Sequence, residues 1–362
     1  MARSPTRGAT NRCQLIALDR LKRREHTAGS RGAIELISAG SDSGLQMLVA
    51  VLNGDIASPR QWSAVIQEAN RHLVAPALYA CLRDYPFPSL IPAEVDEYLR
   101  FLHDLNEMRN RRLRQQAIET IGALNEAGIE PLLIKGSALL MILPERRLGT
   151  RMISDLDLVV DKGAVEACVA RLLGIGYQPL ADDPGAHARG KFYRPSDVGS
   201  VDLHWRPPGP AHLFAANETL RSVSVEVQGV RLKLPTPAEW VTHLIVHDMI
   251  QDRRLRTGDV SLRRLLDCRE ILRLGYDIDW GAIRDRLPSG RMALARNLFF
   301  LNLQRFAGVK VDGGAGGLLP RLLYSRQIAL RRNATYRSLD SFGLSMLGGS
   351  WKFLKLSRAE RQ

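Results

Sequence analysis

Asp155 and Asp157 lie two residues apart between Ile153 and the apolar Leu158-Val159-Val160. In an extended chain side chains alternate, so both carboxylates leave one face while Leu156 and Leu158 turn to the core. Acids one strand repeat apart, on the order of 7 Å, suit a hard, oxygen-seeking cation: two Mg²⁺ sharing a carboxylate, or Mn²⁺ in their place. Acids on a surface strand also alternate in this way, but desolvating this pair among Ile153, Leu158, Val159 and Val160 is costly without a cation. The setting therefore points to metal binding.

Upstream, the stretch from Glu130 turns apolar from Pro131 to Ile134 and ends in Lys135-Gly136-Ser137 before a second apolar run. The pattern predicts a strand, a tight turn and a short helix. Gly136 has no side chain to block a ligand, and Ser137 with the helix N-terminal amides offers donors to a polyphosphate. Lys135 and Arg151 add positive charge, although Arg151 in a structural ion pair would look the same. Carboxylates and phosphates repel, so a site built from both needs cations between them. A third acid follows in Ser200-Val201-Asp202-Leu203-His204-Trp205, where alternation puts Asp202 and His204 on one face. Three acids on neighbouring strands suit phosphoryl transfer, in which metals flank the phosphorus and an acid stands by the attacking hydroxyl. His204 itself is read as a core histidine.

This order of Gly-Ser, Asp-x-Asp and a later lone Asp resembles the DNA polymerase beta-like nucleotidyltransferase superfamily. More closely it is similar to an uncharacterised bacterial nucleotidyltransferase family, through Lys135, Gly136, Arg151, Asp155, Asp157, Gly176, Tyr177 and Asp202 to Trp205. The resemblance covers about Trp62 to Arg286. One departure is the 18 positions from Ser137 to Asp155, wider than in the smallest members of the superfamily. The resemblance implies an α+β fold with a polymerase beta-like core between helical segments. It implies NMP transfer from an NTP to an acceptor hydroxyl, with Asp155, Asp157 and Asp202 as catalytic, metal-binding residues. Gly136 and Ser137 would hold the β and γ phosphates, balanced by Lys135 and Arg151. Two other readings remain: a non-catalytic relative that binds nucleotide or a partner, and a glycosyltransferase, which the Lys-Gly-Ser turn and the short distance to Asp202 fit poorly.

The elements that must carry these residues follow from patterning. The chain has 362 residues, 45% hydrophobic and 25% charged, enough for two or three domains. Apolar spacing predicts helices over Ala33–Leu52, Trp62–Leu82 and Ala93–Ala127, the last with a break near Asn110–Arg112. After the acidic strand come a helix from Lys162 to Leu173, a loop from Asp182 to Gly190, an antiparallel pair of Lys191–Tyr193 with Val201–Trp205, and alternation over Val223–Leu234 with a turn at Gln228-Gly229. Four helices follow: Ala238–Ile250, Leu262–Leu274, Trp280–Arg286 and Met292–Phe306. His243 and His247 are spaced like helix-borne metal ligands but lack a third, so they are read as packing residues. Asp267 is expected to anchor its helix through an Arg. The resulting units are 1–31, 32–127, 128–235, 236–312 and 313–362, the last entered through Gly313 to Gly317.

Net charge is +13, but residues 1–31 carry eight Lys+Arg against two acids and residues 320–362 nine against two, leaving the rest neutral. A neutral body favours a small molecule or protein side chain as acceptor. The basic ends leave RNA or an anionic membrane surface open, through Arg331, Arg332, Lys352 and Lys355 with Trp351, Phe353 and Leu354. A helical tail packed on the body is the plainer reading of that end, and a disordered extension that of the first tail. No apolar run approaches the roughly 20 residues that span a bilayer. Cys13, Cys81, Cys168 and Cys268 are scattered, as expected of reduced thiols in a cytoplasmic protein.

Overall fold

The computed structural model describes residues 44–54, 61–84, 91–181, 187–214 and 220–332. The basic stretch 1–31, the start of the helix expected from Ala33, and the tail with Trp351, Lys352, Phe353 and Lys355 lie outside these residues. Helices α1 (Gly44–Leu52), α2 (Trp62–Arg71), α3 (Ala75–Asp84) and the 34-residue α4 (Ala93–Glu126) lead into the sheet region. There β1 (Leu132–Leu133) is followed by α5 (Lys135–Ile142), a 3-10 segment Glu145–Thr150, β2 (Asp155–Val159), α6 (Val165–Gly174), β3 (Gln178–Pro179), β4 (Ala188–Tyr193), β5 (Ser200–His204), β6 (Ser222–Val227) and β7 (Val230–Pro235). The expected loop to Gly190 therefore ends earlier, because β4 pairs with β5 from Ala188 onward.

The seven strands form one mixed sheet in the order β3-β4-β5-β2-β1-β7-β6. With helices before, between and after its strands, the fold is α+β. β2 and β5 run parallel at the centre, with Asp157 opposite Asp202 and Val159 opposite His204. Beyond the sheet come α7 (Pro237–Ile245), running into a π-helical turn Val246–Gln251, α8 (Arg254–Thr257), α9 (Leu262–Arg273), α10 (Trp280–Arg286), α11 (Gly290–Ala307) and α12 (Leu318–Arg332). The π turn and α8 are additions to the four helices expected here. The glycine-rich joint opens a helix packed on α11, where Tyr324 meets Phe306 with ring centroids 5.8 Å apart.

The expected break in α4 is absent, and the reason bears on the site. Polar residues interrupt its apolar pattern, but they are buried and they hold the loops around β2. Asn106 donates to the carbonyls of Gly149 (2.7 Å) and Arg151 (3.1 Å), and Asn110 to those of Leu148 (2.6 Å) and Arg151 (2.7 Å). Arg109 reaches the carbonyls of Ser154 and Val198, and Gln116 that of Gly199, fixing the entrances to β2 and β5. Gly199 suits this close approach, since a Cβ would lie 2.5 Å from the Leu113 side chain and 3.0 Å from the Ser154 carbonyl and force a shift. Thr120 and Gln116 bond the buried Tyr177 hydroxyl at 2.9 and 3.0 Å. Each buried backbone group so held avoids a desolvation penalty of about 1–3 kcal/mol.

A buried acid cluster as the candidate active site

Parallel pairing at this register sets Asp157 and Asp202 side by side on the face that also carries Asp155 and His204. His204 Nε2 lies 3.3 Å from Asp202 and 3.5 Å from Asp157. Neither approach is a well-directed hydrogen bond, so both ring nitrogens of this buried imidazole are left unsatisfied. Its ring stacks on His187, with centroids 5.4 Å apart and planes 8° apart. Lys135 Nζ reaches the Asp157 carboxylate at 2.5 Å. To do so Lys135 adopts φ +54° between β1 and α5, a left-handed conformation that costs a non-glycine residue about 1–3 kcal/mol and typically persists where function requires it.

Asp157 is 2% exposed. Burial alone would raise its carboxyl, but Lys135 and His204 outweigh burial and hold it well below the ordinary carboxylate range. For His204 burial opposes the imidazolium, and Asp157 and Asp202 together lift its affinity for the proton above that of a free histidine. Asp155 is pushed upward by burial and then by the Asp157 charge. His187 falls to about 4, through burial and then the His204 and Arg206 charges. The cluster thus holds three carboxylates against one ammonium and one imidazole.

The donor set fits a divalent cation: Asp157, Asp202 and His204 each offer a ligand atom, and these atoms lie within 4.8 Å of one another. The His204 nitrogens, without a directed hydrogen bond beside two carboxylates, supply the matching chemistry. His204, read from the sequence as a core residue, therefore belongs to the cluster. Its signal was the two-residue spacing from Asp202.

Three residues expected at the phosphates have other occupations. Ser137 is fully buried; its hydroxyl accepts from the Asp157 amide (2.7 Å) and donates to the Asp155 carbonyl (3.3 Å), pinning α5 to β2. The space left by the missing side chain of Gly136 faces Ile153, whose nearest carbon is 3.3 Å from an ideal Cβ, and Arg151 at 3.6 Å. Arg151 forms a bidentate pair with Asp267, Nε to Oδ1 2.5 Å and Nη2 to Oδ2 3.0 Å. That pair is the arginine anchor expected for Asp267, and it fastens α9 to the loop before β2. His243 and His247 sit edge to face at 5.9 Å, and among the described residues they belong to no candidate metal cluster.

A family model described as an uncharacterised nucleotidyltransferase matches residues 58–308. No curated protein matches. Among solved structures, an antigenic nucleotidyltransferase-like protein from Paracoccidioides brasiliensis is 18% identical, over 54% of this chain and 89% of that one, with a TM-score of 0.35.

Proposed function

The chain belongs to this family of uncharacterised nucleotidyltransferases, and from that premise we propose that it transfers an NMP from an NTP to an acceptor hydroxyl. The observation that carries the reading is the register of β2 and β5, which sets Asp157 beside Asp202 in a buried site short of positive charge. Asp155, Asp157 and Asp202, with His204, would hold Mg²⁺ or Mn²⁺. When bound, the cation would supply charge neutralisation at the phosphates and Lewis-acid polarisation of a phosphoryl oxygen. In the transfer, the acceptor oxygen bonds to the α-phosphorus as the bond from that phosphorus to the bridging oxygen breaks. Pyrophosphate leaves with the electron pair, and the hydroxyl proton passes to Asp202. Lys135, released from Asp157, would meet a phosphate oxygen. The α4 polar stripe holds both strand entrances still, and catalysis rests on this preorganisation. The neutral body favours a small molecule or a protein side chain as acceptor; the basic ends leave RNA or an anionic membrane surface as further partners.

Calorimetric titration of the four NTPs, with and without Mg²⁺, tests this reading. At least one triphosphate should bind in a Mg²⁺-dependent manner, and the Asp155→Asn, Asp157→Asn double variant should lose that binding while remaining folded. Failure of every NTP to bind the folded protein would overturn the transfer reading in favour of a non-catalytic, partner-binding relative.

A further inference from the structure

Beside the acid cluster lies a second feature that the chemistry so far leaves unused. An open cleft runs between the N-terminal helices, α5, the Glu145–Thr150 segment and α9. Leu73, Ala77, Leu139, Leu143 and Leu266 give it an apolar floor, while Arg147, Arg151, Arg263, Arg269 and Arg273 bring five guanidinium groups against the carboxylates of Asp267 and Glu270. Four of the five are engaged. Arg151 holds Asp267, and Arg147 holds Glu270 through two bonds of 2.5 and 2.7 Å. Arg273 approaches Glu270 at 3.9 Å, and Arg269 donates to the Leu52 carbonyl at 2.7 Å.

Arg263 is different. It is half-buried in the first turn of α9, and among the described residues it makes no hydrogen bond or ion pair. Burial and then the Arg151 and Arg264 charges depress it to about 10, with Asp267 and Asp155 acting in the opposite sense. It remains a cation at neutral pH, crowded by like charge and lacking an anion. Arg151 joins this cleft to the acid site: it lines the cleft, and its guanidinium lies 3.6 Å from the space beside Gly136, the residue after Lys135. A guanidinium that no acid satisfies, in a cleft whose cations outnumber its acids, is a receptor for a multiply charged oxyanion.

We propose that the cleft is the polyphosphate subsite, in which Arg263 binds the β and γ phosphates of the donor and then the pyrophosphate that leaves. This rests on the transfer reading and gives α9 the phosphate role that Ser137 and Arg151 do not fill. It also divides the donor between two units: the acids of β2 and β5 face the α-phosphate, and the C-terminal helical unit grips the rest.

The test uses the full chain, with pyrophosphate and tripolyphosphate as probes beside NTP and NMP. Arg263→Ala should weaken pyrophosphate and NTP binding by roughly tenfold to a hundredfold, the size of a lost charge-assisted hydrogen bond. NMP affinity should not move, and Arg263→Lys should recover part of the loss. Because Arg263 holds nothing in place, its removal should leave the thermal midpoint unchanged or slightly higher; should the alanine variant nevertheless fail to fold, the lysine variant carries the comparison. Equal pyrophosphate and NTP affinities in the wild type and both variants would overturn the subsite while leaving the transfer reading intact. Arg263-dependent pyrophosphate binding without any NTP binding would do the reverse. Binding of neither probe by the wild type would overturn both.

Discussion

Two buried charge clusters border α5, and they are built on opposite plans. In the seam between the Glu145–Thr150 segment and α9, Arg151 meets Asp267 and Arg147 meets Glu270, each carboxylate gripped by a guanidinium at two points. On β2 and β5 three carboxylates share one lysine and one histidine. Paired charge at Asp267 and Glu270 leaves these two acids no need of a further cation and joins two units of the chain. Unmatched charge costs stability in the free protein and invites a cation. The same residue type, buried aspartate, thus serves architecture in one place and chemistry in the other, and the number of cations around it tells the two apart.

The largest expected effect tests the seam. Asp267→Asn leaves Arg151 buried and unpaired, and breaking a pair of this kind costs about 3–5 kcal/mol. Urea unfolding should show the midpoint falling by a corresponding amount at constant slope. A variant as stable as the wild type would mean that Arg151 has solvent or another acid to turn to, and the contrast between the clusters would collapse.

How much of this the sequence disclosed depends on the range of the interaction. Alternation over Asp155 to Val160 and over Ser200 to Trp205, the hairpin at Gln228-Gly229 and most helices are local patterns, and each was legible. The facing of Asp157 and Asp202 was not, because parallel register is set by the packing of everything between the two strands. Arg151 shows the same limit: beside an acidic strand a phosphate ligand and an ion-pair partner read alike, and the partner lies 116 positions away. Ser137 reads two ways for a related reason, since a hydroxyl at a helix start can hold a ligand or a neighbouring strand, and here it bonds the backbone of β2. Asn110 broke an apolar pattern without breaking a helix, because its amide is spent on the Leu148 and Arg151 carbonyls. Arg263 carried no signal at all: a lone arginine in Arg-Arg-Leu-Leu-Asp becomes informative only when every neighbour proves to be paired.

A smaller effect probes whether the acid cluster lacks a cation that lies nearby. His243 is fully buried with both ring nitrogens unpartnered, and burial, then the His247, Lys135 and Arg264 charges, hold it well below the ordinary histidine range, against the pull of Asp157. A base depressed in the folded state stabilises the protein above its unfolded pKa, and that stability is lost as pH falls below about 6.5. His243→Leu should therefore flatten the acid side of the stability profile, by at most about 1.4 kcal/mol per pH unit for one proton. His247, depressed in the same direction, keeps some slope in place. An unchanged slope would mean that His243 is already protonated and supplies the charge the acids were said to lack.

The smallest effect is the most discriminating, because its sign is opposite in the two clusters. Asp155 is driven upward by burial and by Asp157, so its ionised form burdens the folded state. That burden appears as pH rises from the unfolded value near 3.9 through the raised folded value, and it is full above that. Asp155→Asn should consequently stabilise the protein at neutral pH without divalent cation, by an amount on the order of 1 kcal/mol or less, and the gain should vanish in acid, where the wild-type carboxyl is protonated. Adding Mg²⁺ should raise the wild-type melting temperature and the variant's by less, narrowing or inverting the order. The Asp267→Asn variant of the seam should be destabilised with and without Mg²⁺ alike. Asp155→Asn proving as harmful as Asp267→Asn would make the strand acids structural too. A stabilised variant that gains as much from Mg²⁺ as the wild type would confine the cation to Asp157, Asp202 and His204 and leave Asp155 outside its reach.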